Sequence, residues 1–392
     1  MKKILFITNV PAPYTVKFFE LLGKNYDLTV VYERKTASNR EKEWFSEVGK
    51  SYKEIYLKGI KFGEEAAFCI DVIRYLKMKF DMIIIGNYSS PTGILTILSL
   101  LYMKKKFYIH VDGGMKAERE GIKKYVKQFL LSHAEGFFSP GEITDEYIRF
   151  YAGESKKILH YSFSSVEQKE VVNRPLSNYQ KKNIIKSLEP LCDIKDDDFI
   201  IVSVGSIIPR KGYDILLKSI IPIKEKVIVF IIGGKESSAL ANIMQDNQMQ
   251  KVFFIDFMEH SKIKEYLQSA DLFILPTRYD IWGLVVNEAL AAGLPIITSD
   301  MCVAGRQLVE NDYNGYIFRS ENYHELTRCI EKVMERPASS RNEMAQRSID
   351  IANKYTIEKM NIEYADSIEK FLQNEVDSCE KIESERNTKT RI

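Results

Sequence analysis

The sequence predicts an α/β protein made of two doubly wound, Rossmann-like domains, and three observations carry that prediction. Short apolar runs that do not alternate with polar residues recur along the chain, as strands buried on both faces of a parallel sheet do. Each run leads into a polar or Gly/Pro-bearing loop and then a helix-length segment, the βαβα rhythm of doubly wound sheets. The chain has 392 residues, and single hydrophobic cores stop growing near ~250–300.

The runs of the first half are Ile4–Thr8, Leu28–Tyr32, Met82–Ile85, Phe107–Val111 and Gly136–Phe138. Those of the second are Phe199–Val204, Val227–Ile232, Val252–Ile255, Leu272–Leu275, Pro295–Thr298 and Tyr316–Phe318. Between them Val166–Tyr179 is polar, contains Pro175 and lacks an apolar period, so the domains are expected at residues 1–170 and 171–354. Past Pro337 the chain reads as helix. Ile357, Met360, Tyr364, Ile368 and Phe371 form one apolar stripe of an amphipathic helix assigned to 355–373. From Asn374 the sequence is polar and charged, and 374–392 reads as a frayed tail.

Composition removes several classes. A hydrophobic fraction of 45% excludes an extended disordered chain. Lys+Arg 56 against Asp+Glu 54 leaves +2, without the basic excess of a nucleic-acid binder. Cys69, Cys192, Cys302, Cys329 and Cys379 are far apart and form no CxxC, so reduced thiols in a cytoplasmic protein are expected, with neither a disulfide framework nor a zinc site. Met1–Asn9 holds too short an apolar run for a leader peptide. Ile94–Met103 is likewise too short to cross ~30 Å of hydrocarbon. Charge is uneven: residues 1–170 carry 27 Lys/Arg against 21 Asp/Glu, a net +6, and the remainder 29 against 33, a net −4. Within 72–131 the count is 11 against 4. That excess reads either as solvated helix faces or as a surface for an anionic membrane or acceptor.

Ligands of doubly wound sheets bind beyond the carboxyl ends of the strands, so the residues just past each run are the candidates. In the first half they include Asn9, Pro13, Tyr14, Asn87, Asp112, Gly113 and Gly114; in the second, Gly205 to Lys211, Gly233-Gly234, Asp256-Phe257 and Thr277 to Gly283. The most informative segment is Leu272 to Asp300, a strand, a loop, and a helix from Leu284 to Ala292 stopped by Gly293 and Pro295. The helix N-terminus makes an anion site worth ~0.3–2 kcal/mol per negative group. Glu288 lies one turn below Leu284, placed to reach hydroxyls on whatever the anion is attached to, and Asp280 precedes the helix. Phosphate at the N-terminus, hydroxyls on one carboxylate and a second carboxylate beyond together suit a sugar nucleotide. The bland alternative is a βαβ unit with Glu288 in solvent. In the second loop, Arg210-Lys211 offers a planar fork beside a point charge, a pair suited to a diphosphate, although such a pair in a loop is more often surface decoration. The spacing is neither a Walker A loop nor GxGxxG.

Asp280-x7-Glu288 with Ala289-Leu290-Ala291-Ala292-Gly293-Leu294-Pro295 resembles the E-x7-E block of retaining glycosyltransferases of the GT-B fold, family 4, the group 1 glycosyl transferases. Gly205…Arg210-Lys211-Gly212, Gly233-Gly234, Asn314-Gly315-Tyr316 and the closing helix extend the resemblance. It implies two Rossmann-like domains facing an interdomain cleft, acceptor on the first and nucleotide-sugar donor on the second, with the last helix crossing back to the first. By position, Arg210 and Lys211 would hold the donor diphosphate and Glu288 the ribose hydroxyls. Asp280 and the backbone of Ile281, Trp282, Gly283, Leu284 and Val285 would meet donor sugar and β-phosphate. Asp256-Phe257, with Gly205 and Gly234 nearby, would border the base. Asp280 stands where the family has Glu, and Trp282 where Phe or Tyr is usual, which would reshape the sugar pocket. In the first domain His110-Val111-Asp112-Gly113-Gly114 falls where relatives place a His or Asp near the reacting carbon. Asp112 is favoured as the catalytic group, with a Gly-turn former as its alternative, and His110 is expected to be a satisfied buried imidazole.

The expected chemistry is transfer with retention, Arg210, Lys211 and the Leu284 helix end taking the leaving diphosphate's charge in place of a metal. No metal or other cofactor is expected, because Asp196-Asp197-Asp198 precedes a strand, at the wrong edge. The basic 72–131 stretch suits a lipid-linked saccharide at the inner face of a membrane, as in surface-polysaccharide assembly. A nucleotide-sugar 2-epimerase and a non-catalytic partner subunit are the alternatives.

Overall fold

The computed structural model describes residues 1–36, 51–63, 65–116, 121–190, 192–195 and 197–389, with side chains of the last helix described as far as residue 373. Asp196, the side chain of Cys379 and residues 117–120 of the basic stretch lie outside the described residues.

The chain divides into two compact units, Met1–Phe163 with Ile357–Ile392, and Ser164–Thr356. In the first, the strands are β1 (Lys3–Thr8), β2 (Asp27–Tyr32), β3 (Lys53–Tyr56), β4 (Ile60–Phe62), β5 (Ala66–Phe68), β6 (Met82–Ile85), β7 (Tyr108–His110), β8 (Gly136–Ser139) and β9 (Lys157–His160). Seven of them form a parallel sheet in the order β3-β2-β1-β6-β7-β8-β9, and β4 and β5 make a separate antiparallel pair. Its helices are α1 (Pro13–Leu22), α2 (Val72–Leu76), α3 (Pro91–Tyr102), α4 (Ile122–Ser132) and α5 (Glu142–Ala152).

The second unit holds β10 (Phe199–Val204), β11 (Val227–Ile232), β12 (Val252–Ile255), β13 (Leu272–Leu275), β14 (Ile296–Ser299) and β15 (Gly315–Phe318). They form a parallel sheet ordered β12-β11-β10-β13-β14-β15. Around it pack α6 (Asn178–Leu188), α7 (Tyr213–Ile220), α8 (Ser238–Asp246), α9 (His260–Ser269), α10 (Leu284–Ala291), α11 (Val303–Leu308), α12 (Tyr323–Met334) and α13 (Ala338–Ala352). Strand order reverses between β1 and β6 in one sheet and between β10 and β13 in the other, and each reversal opens a crevice at the strands' carboxyl ends. Among the described residues no helix is long and apolar enough to cross a membrane.

Every apolar run read from the sequence overlaps a strand. Three features differ. The units meet at Ser164 rather than 171, because Ser165 bonds Glu288, Gln168 bonds Asn353, and the Val172 N–H donates to the Ala291 carbonyl, all within the second unit. The segment read as a tail from 374 is helical, since α14 runs Ile357–Lys389. That stretch has no Gly or Pro to stop a helix, and Glu375, Glu380, Lys381, Glu383, Glu385 and Arg386 are good helix formers. Four strands, β3, β4, β5 and β9, lie where no apolar run was read.

The stripe on α14 is buried in the first unit as its spacing predicts: Ile357, Met360, Tyr364, Ile368 and Phe371 are each at most 3% exposed. Tyr364 stacks on Phe138 at 4.2 Å, and the Tyr26 hydroxyl donates to Glu369 at 2.9 Å. Burying such aromatics contributes roughly 1.5–3 kcal/mol each.

Candidate functional site

In the second unit the candidate residues gather where β10 and β13 lie side by side. The chain leaves β10 through a single turn, Pro209–Lys211, and re-enters a helix at Gly212. Gly212 has φ 71°, and a Cβ there would stand 2.1 Å from the Pro276 carbonyl oxygen, so only glycine lets this turn pack against the loop after β13. That loop is tied back to the turn: the Arg278 N–H and the Thr277 hydroxyl both donate to the Arg210 carbonyl, at 2.8 and 3.0 Å. Arg278 also grips Asp214 of α7 with two parallel bonds of 2.9 and 2.8 Å.

The side chains converge on one carboxylate. Lys211 Nζ lies 2.6 Å from Asp280 Oδ2 and Arg210 Nη1 3.6 Å from the same atom, and Arg210 Nη1 donates to the Tyr279 carbonyl at 2.7 Å. Lys211 and Asp280 are nearly buried, whereas the Arg210 side chain is 45% exposed. Two cations share one anion, leaving a positive pole beside the α10 N-terminus, whose first N–H groups have no intrahelical partner. Gly283 caps that helix at φ 100°, where an added Cβ would meet Cys302 Sγ at 2.7 Å. Ile281 is half exposed beside it, and Leu284 and Val285 are partly exposed.

Trp282 departs from expectation. It is 2% exposed, and its ring N–H donates to Asn287 Oδ1 at 2.9 Å. The large ring anchors the loop from inside rather than reshaping a sugar pocket, because the Cys302 thiol and the Ala304 N–H both bond its carbonyl and hold the residue inward.

Glu288, one turn along α10, sits among partners that local spacing did not disclose. Ser165 donates to Oε1 at 3.0 Å, and His260, which opens α9 shortly after β12, brings Nδ1 to 4.0 Å of the same oxygen and Nε2 to 3.4 Å of Glu170. Burial raises the Glu288 carboxyl above its ordinary pKa, against the pull of His260 and Ser165. The Glu170 hydrogen bond, with Glu288's charge adding to it, raises His260. Asp256 and Phe257 extend outward at the end of β12, the ring 47% exposed. The glycine pair Gly233-Gly234 packs against Gly205 and Ile207.

In the first unit the expected residues collect at the carboxyl ends of β1, β6 and β7. Pro13 opens α1, and Tyr14 lies edge-on to Phe163. Asn9 donates to Glu65 at 2.7 Å and Asn87 to Glu33 at 3.4 Å. Glu33, which local reading missed, is 1% exposed, accepts from the Ala67 N–H and the Ser90 hydroxyl, and is pushed by burial to a pKa of about 7. Asp112 follows β7 with Gly113 and Gly114, its side chain 40% exposed. His110 Nε2 lies 2.7 Å from Asp112 Oδ1, while Nδ1 faces the Tyr364 hydroxyl of α14 at 3.2 Å. His110 is thus the buried, satisfied imidazole expected, and it also orients Asp112. Among the described residues no three His, Cys, Asp or Glu side chains converge as a metal site would.

Two Rossmann-like units, each with polar and charged groups at the carboxyl edge of its sheet, make this a GT-B fold. HepE of Anabaena, solved with UDP-glucose, superposes with a TM-score of 0.73 at 15% identity over 94% of this chain and 100% of that one. Residues 192–354 match the model of the glycosyl transferases group 1. The O-antigen biosynthesis glycosyltransferase WclY of Escherichia coli is 26% identical over 160 residues, 40% of this chain and 41% of its own. The chain thus spans about two fifths of that curated relative's length. The N,N'-diacetylbacillosaminyl-diphospho-undecaprenol alpha-1,3-N-acetylgalactosaminyltransferase of Campylobacter jejuni is 24% identical over 229 residues, 58% of each chain.

Proposed function

We propose that the protein is a retaining glycosyltransferase that moves a sugar from a nucleoside diphosphate, a UDP-sugar in the first instance, to a saccharide or polyprenyl-linked saccharide. What carries this reading is the juxtaposition of Arg210, Lys211 and the α10 N-terminus on neighbouring strand ends, with Glu288 one turn further along the same helix. Fixed positive charge suits a diphosphate, and a carboxylate oxygen suits a ribose because it accepts hydrogen bonds from the ribose hydroxyls.

In this reading the bond from the anomeric carbon to the β-phosphate oxygen breaks, its electrons stay on that oxygen, and the sugar becomes oxocarbenium-like. Arg210 and Lys211 are already held in place by Asp280 and the Tyr279 carbonyl, so they meet the growing charge without reorganising. Two cations and a helix end can do this without a divalent ion. Asp112, steadied by His110, stands for the acceptor side, with Asn9, Pro13, Tyr14, Asn87, Gly113 and Gly114 around it. The relatives' printed roles in O-antigen biosynthesis and on an undecaprenol-linked substrate favour a lipid-linked acceptor and surface-polysaccharide assembly at the cytoplasmic face of the membrane.

A thermal-shift panel of UDP-, GDP- and ADP-sugars tests the donor site: one class raises Tm, and Arg210→Ala with Lys211→Ala removes that rise. An unchanged rise in the double variant overturns the site. Transfer insensitive to EDTA is expected; transfer lost with EDTA and restored by Mn²⁺ overturns the metal-free step. Epimerised sugar formed from the donor alone would point to a 2-epimerase instead.

A further inference from the structure

We propose that Tyr364 of α14 is a positioning residue for Asp112, acting through His110. Its hydroxyl donates to His110 Nδ1 and so fixes the imidazole in the tautomer whose Nε2–H holds the Asp112 carboxylate. All three groups lie in the first unit, to which α14 belongs.

The proton arrangement follows from donors and acceptors. An ionised carboxylate only accepts, so the 2.7 Å bond between Asp112 Oδ1 and His110 Nε2 needs its proton on Nε2. Tyr161 independently requires the same. Its hydroxyl donates to the Val111 carbonyl at 2.9 Å, which leaves an oxygen lone pair to face Nε2 at 3.3 Å. With Nε2 protonated, the neutral ring offers Nδ1 as an acceptor, and the Tyr364 hydroxyl stands 3.2 Å from it. That hydroxyl makes no other hydrogen bond among the described residues, and Tyr364 is 0% exposed. A second proton on the ring, at Nδ1, would therefore leave the hydroxyl proton buried without an acceptor. Burial also keeps the hydroxyl from ionising.

Packing holds the relay still. Tyr364 stacks on Phe138 at 4.2 Å and meets Phe18 edge-on at 5.0 Å. The buried imidazole stacks on Tyr161 at 5.0 Å and meets Phe6 edge-on at 5.5 Å. Turned over, the imidazole would present ring carbons to both Tyr364 and Asp112, so the two hydrogen bonds select one face. Asp112 has more freedom, with its side chain 40% exposed and two glycines following, and His110 is the partner that orients it. The apolar stripe of α14 would pack with Phe at 364; packing does not call for the hydroxyl.

The role of Asp112 rests on the transferase reading and the proton arrangement does not, so the two are measured separately. In the full chain labelled with ¹⁵N-histidine, the His110 ring signals, identified by their loss in His110→Gln, should show Nε2 protonated and Nδ1 bare. In Tyr364→Phe, which keeps the ring and loses the hydroxyl, the Nδ1 signal should move to that of an unbonded nitrogen. A protonated Nδ1 in wild type, or an unmoved signal in Tyr364→Phe, overturns the proposal. In release of UDP from the UDP-sugar that raises Tm, Tyr364→Phe should lower kcat about tenfold, the upper end for one hydrogen bond, with donor Kd unchanged. Added to Asp112→Asn it should cost nothing further, because both changes break the same chain. Ile368→Ala, on the same buried stripe, should lower Tm at least as much and leave kcat in place. An equal loss of kcat in Ile368→Ala, or an additive loss in the Asp112→Asn background, makes Tyr364 a packing residue only and overturns the proposal. A wild-type chain that turns over no sugar nucleotide defeats the transferase reading, whereas the spectrum still confirms or overturns the Tyr364–His110 bond.

Discussion

At the carboxyl edge of the second unit, Arg210 and Lys211 share Asp280 in a partly exposed cluster; at the same edge of the first, Glu33 lies buried among a hydroxyl, a side-chain amide and a backbone N–H. Both positions are the crevice that a reversal of strand order opens. Topology therefore decides where a ligand can sit, and loops decide what it must be: fixed positive charge suits a phosphate, whereas hydroxyl- and amide-lined carboxyls suit an uncharged polyol.

The sharpest way to break this division is to remove one group from each side and ask whether the losses are of different kinds. Asp112→Asn should lower kcat about 10²–10⁴-fold, the range for a positioned acid or base, and leave donor Kd unaltered. An unchanged kcat would make Asp112 only the Gly-turn former that Gly113 and Gly114 also allow. Lys211→Ala should add a loss of the other kind: UDP-sugar binding, read by titration calorimetry, weakens by the ~1.5–3 kcal/mol of a charge-assisted bond, and kcat falls with it because the leaving charge is less compensated. Donor binding and kcat both unchanged in that variant would put the diphosphate elsewhere.

The contrast also governs what was legible in the sequence. The rim of the second unit is written locally: strand, glycine-bounded turn and helix follow one another between residues 199 and 220 and again between 272 and 291. Arg210, Lys211, Asp280 and Glu288 could be found there because each follows a visibly apolar strand. The first unit draws Glu33 from the end of β2 and Glu65 from beside the β4–β5 pair, far from Asn9 and Asn87 in sequence, so only the fold joins them. Its missed strands β3 and β9 are the two edges of the sheet. An edge strand is covered less completely, and Lys53-Glu54-Ile55-Tyr56 accordingly has no continuous apolar run. Trp282 was misread for a related reason, since spacing places a residue in a loop without telling which way its ring turns.

Glu33 supplies a stability test of the first rim. An unfolded glutamate titrates near 4.5, and burial pushes this one to about 7. Between those values the folded state keeps a proton that the unfolded state has released, so stability falls as pH rises through that window and is level above it. Glu33→Gln keeps an acceptor for the Ala67 N–H and abolishes the slope. It should stabilise the protein by about 1–3 kcal/mol at pH 8 relative to wild type, with little difference at pH 4. A parallel pH dependence of Tm in both proteins would mean that Glu33 is ionised in its pocket after all.

The smallest expected effect belongs to His260, and it asks whether the second rim too contains a tuned carboxyl. Protonated His260 opposes the upward shift that burial imposes on Glu288. In the proposed donor site Glu288 accepts ribose hydroxyls more strongly as a carboxylate, so donor affinity should decline on acidification through its raised pKa. In His260→Gln that decline should begin at higher pH, by less than about one unit, because the imidazole is half exposed and 4.0 Å away, where water weakens the coupling. His260 itself contributes in the opposite sense. Its pKa is raised chiefly by Glu170, so its own stabilisation is complete below the unfolded histidine value near 6.5 and is lost as pH rises through the raised one. Calorimetric titrations of UDP-sugar from pH 4 to 8 read the first and Tm over the same range reads the second: Glu288→Gln removes the acid limb and, since its charge also raises His260, moves the alkaline loss of stability to slightly lower pH. Coincident acid limbs in wild type and His260→Gln would mean that the two side chains are neighbours without being coupled.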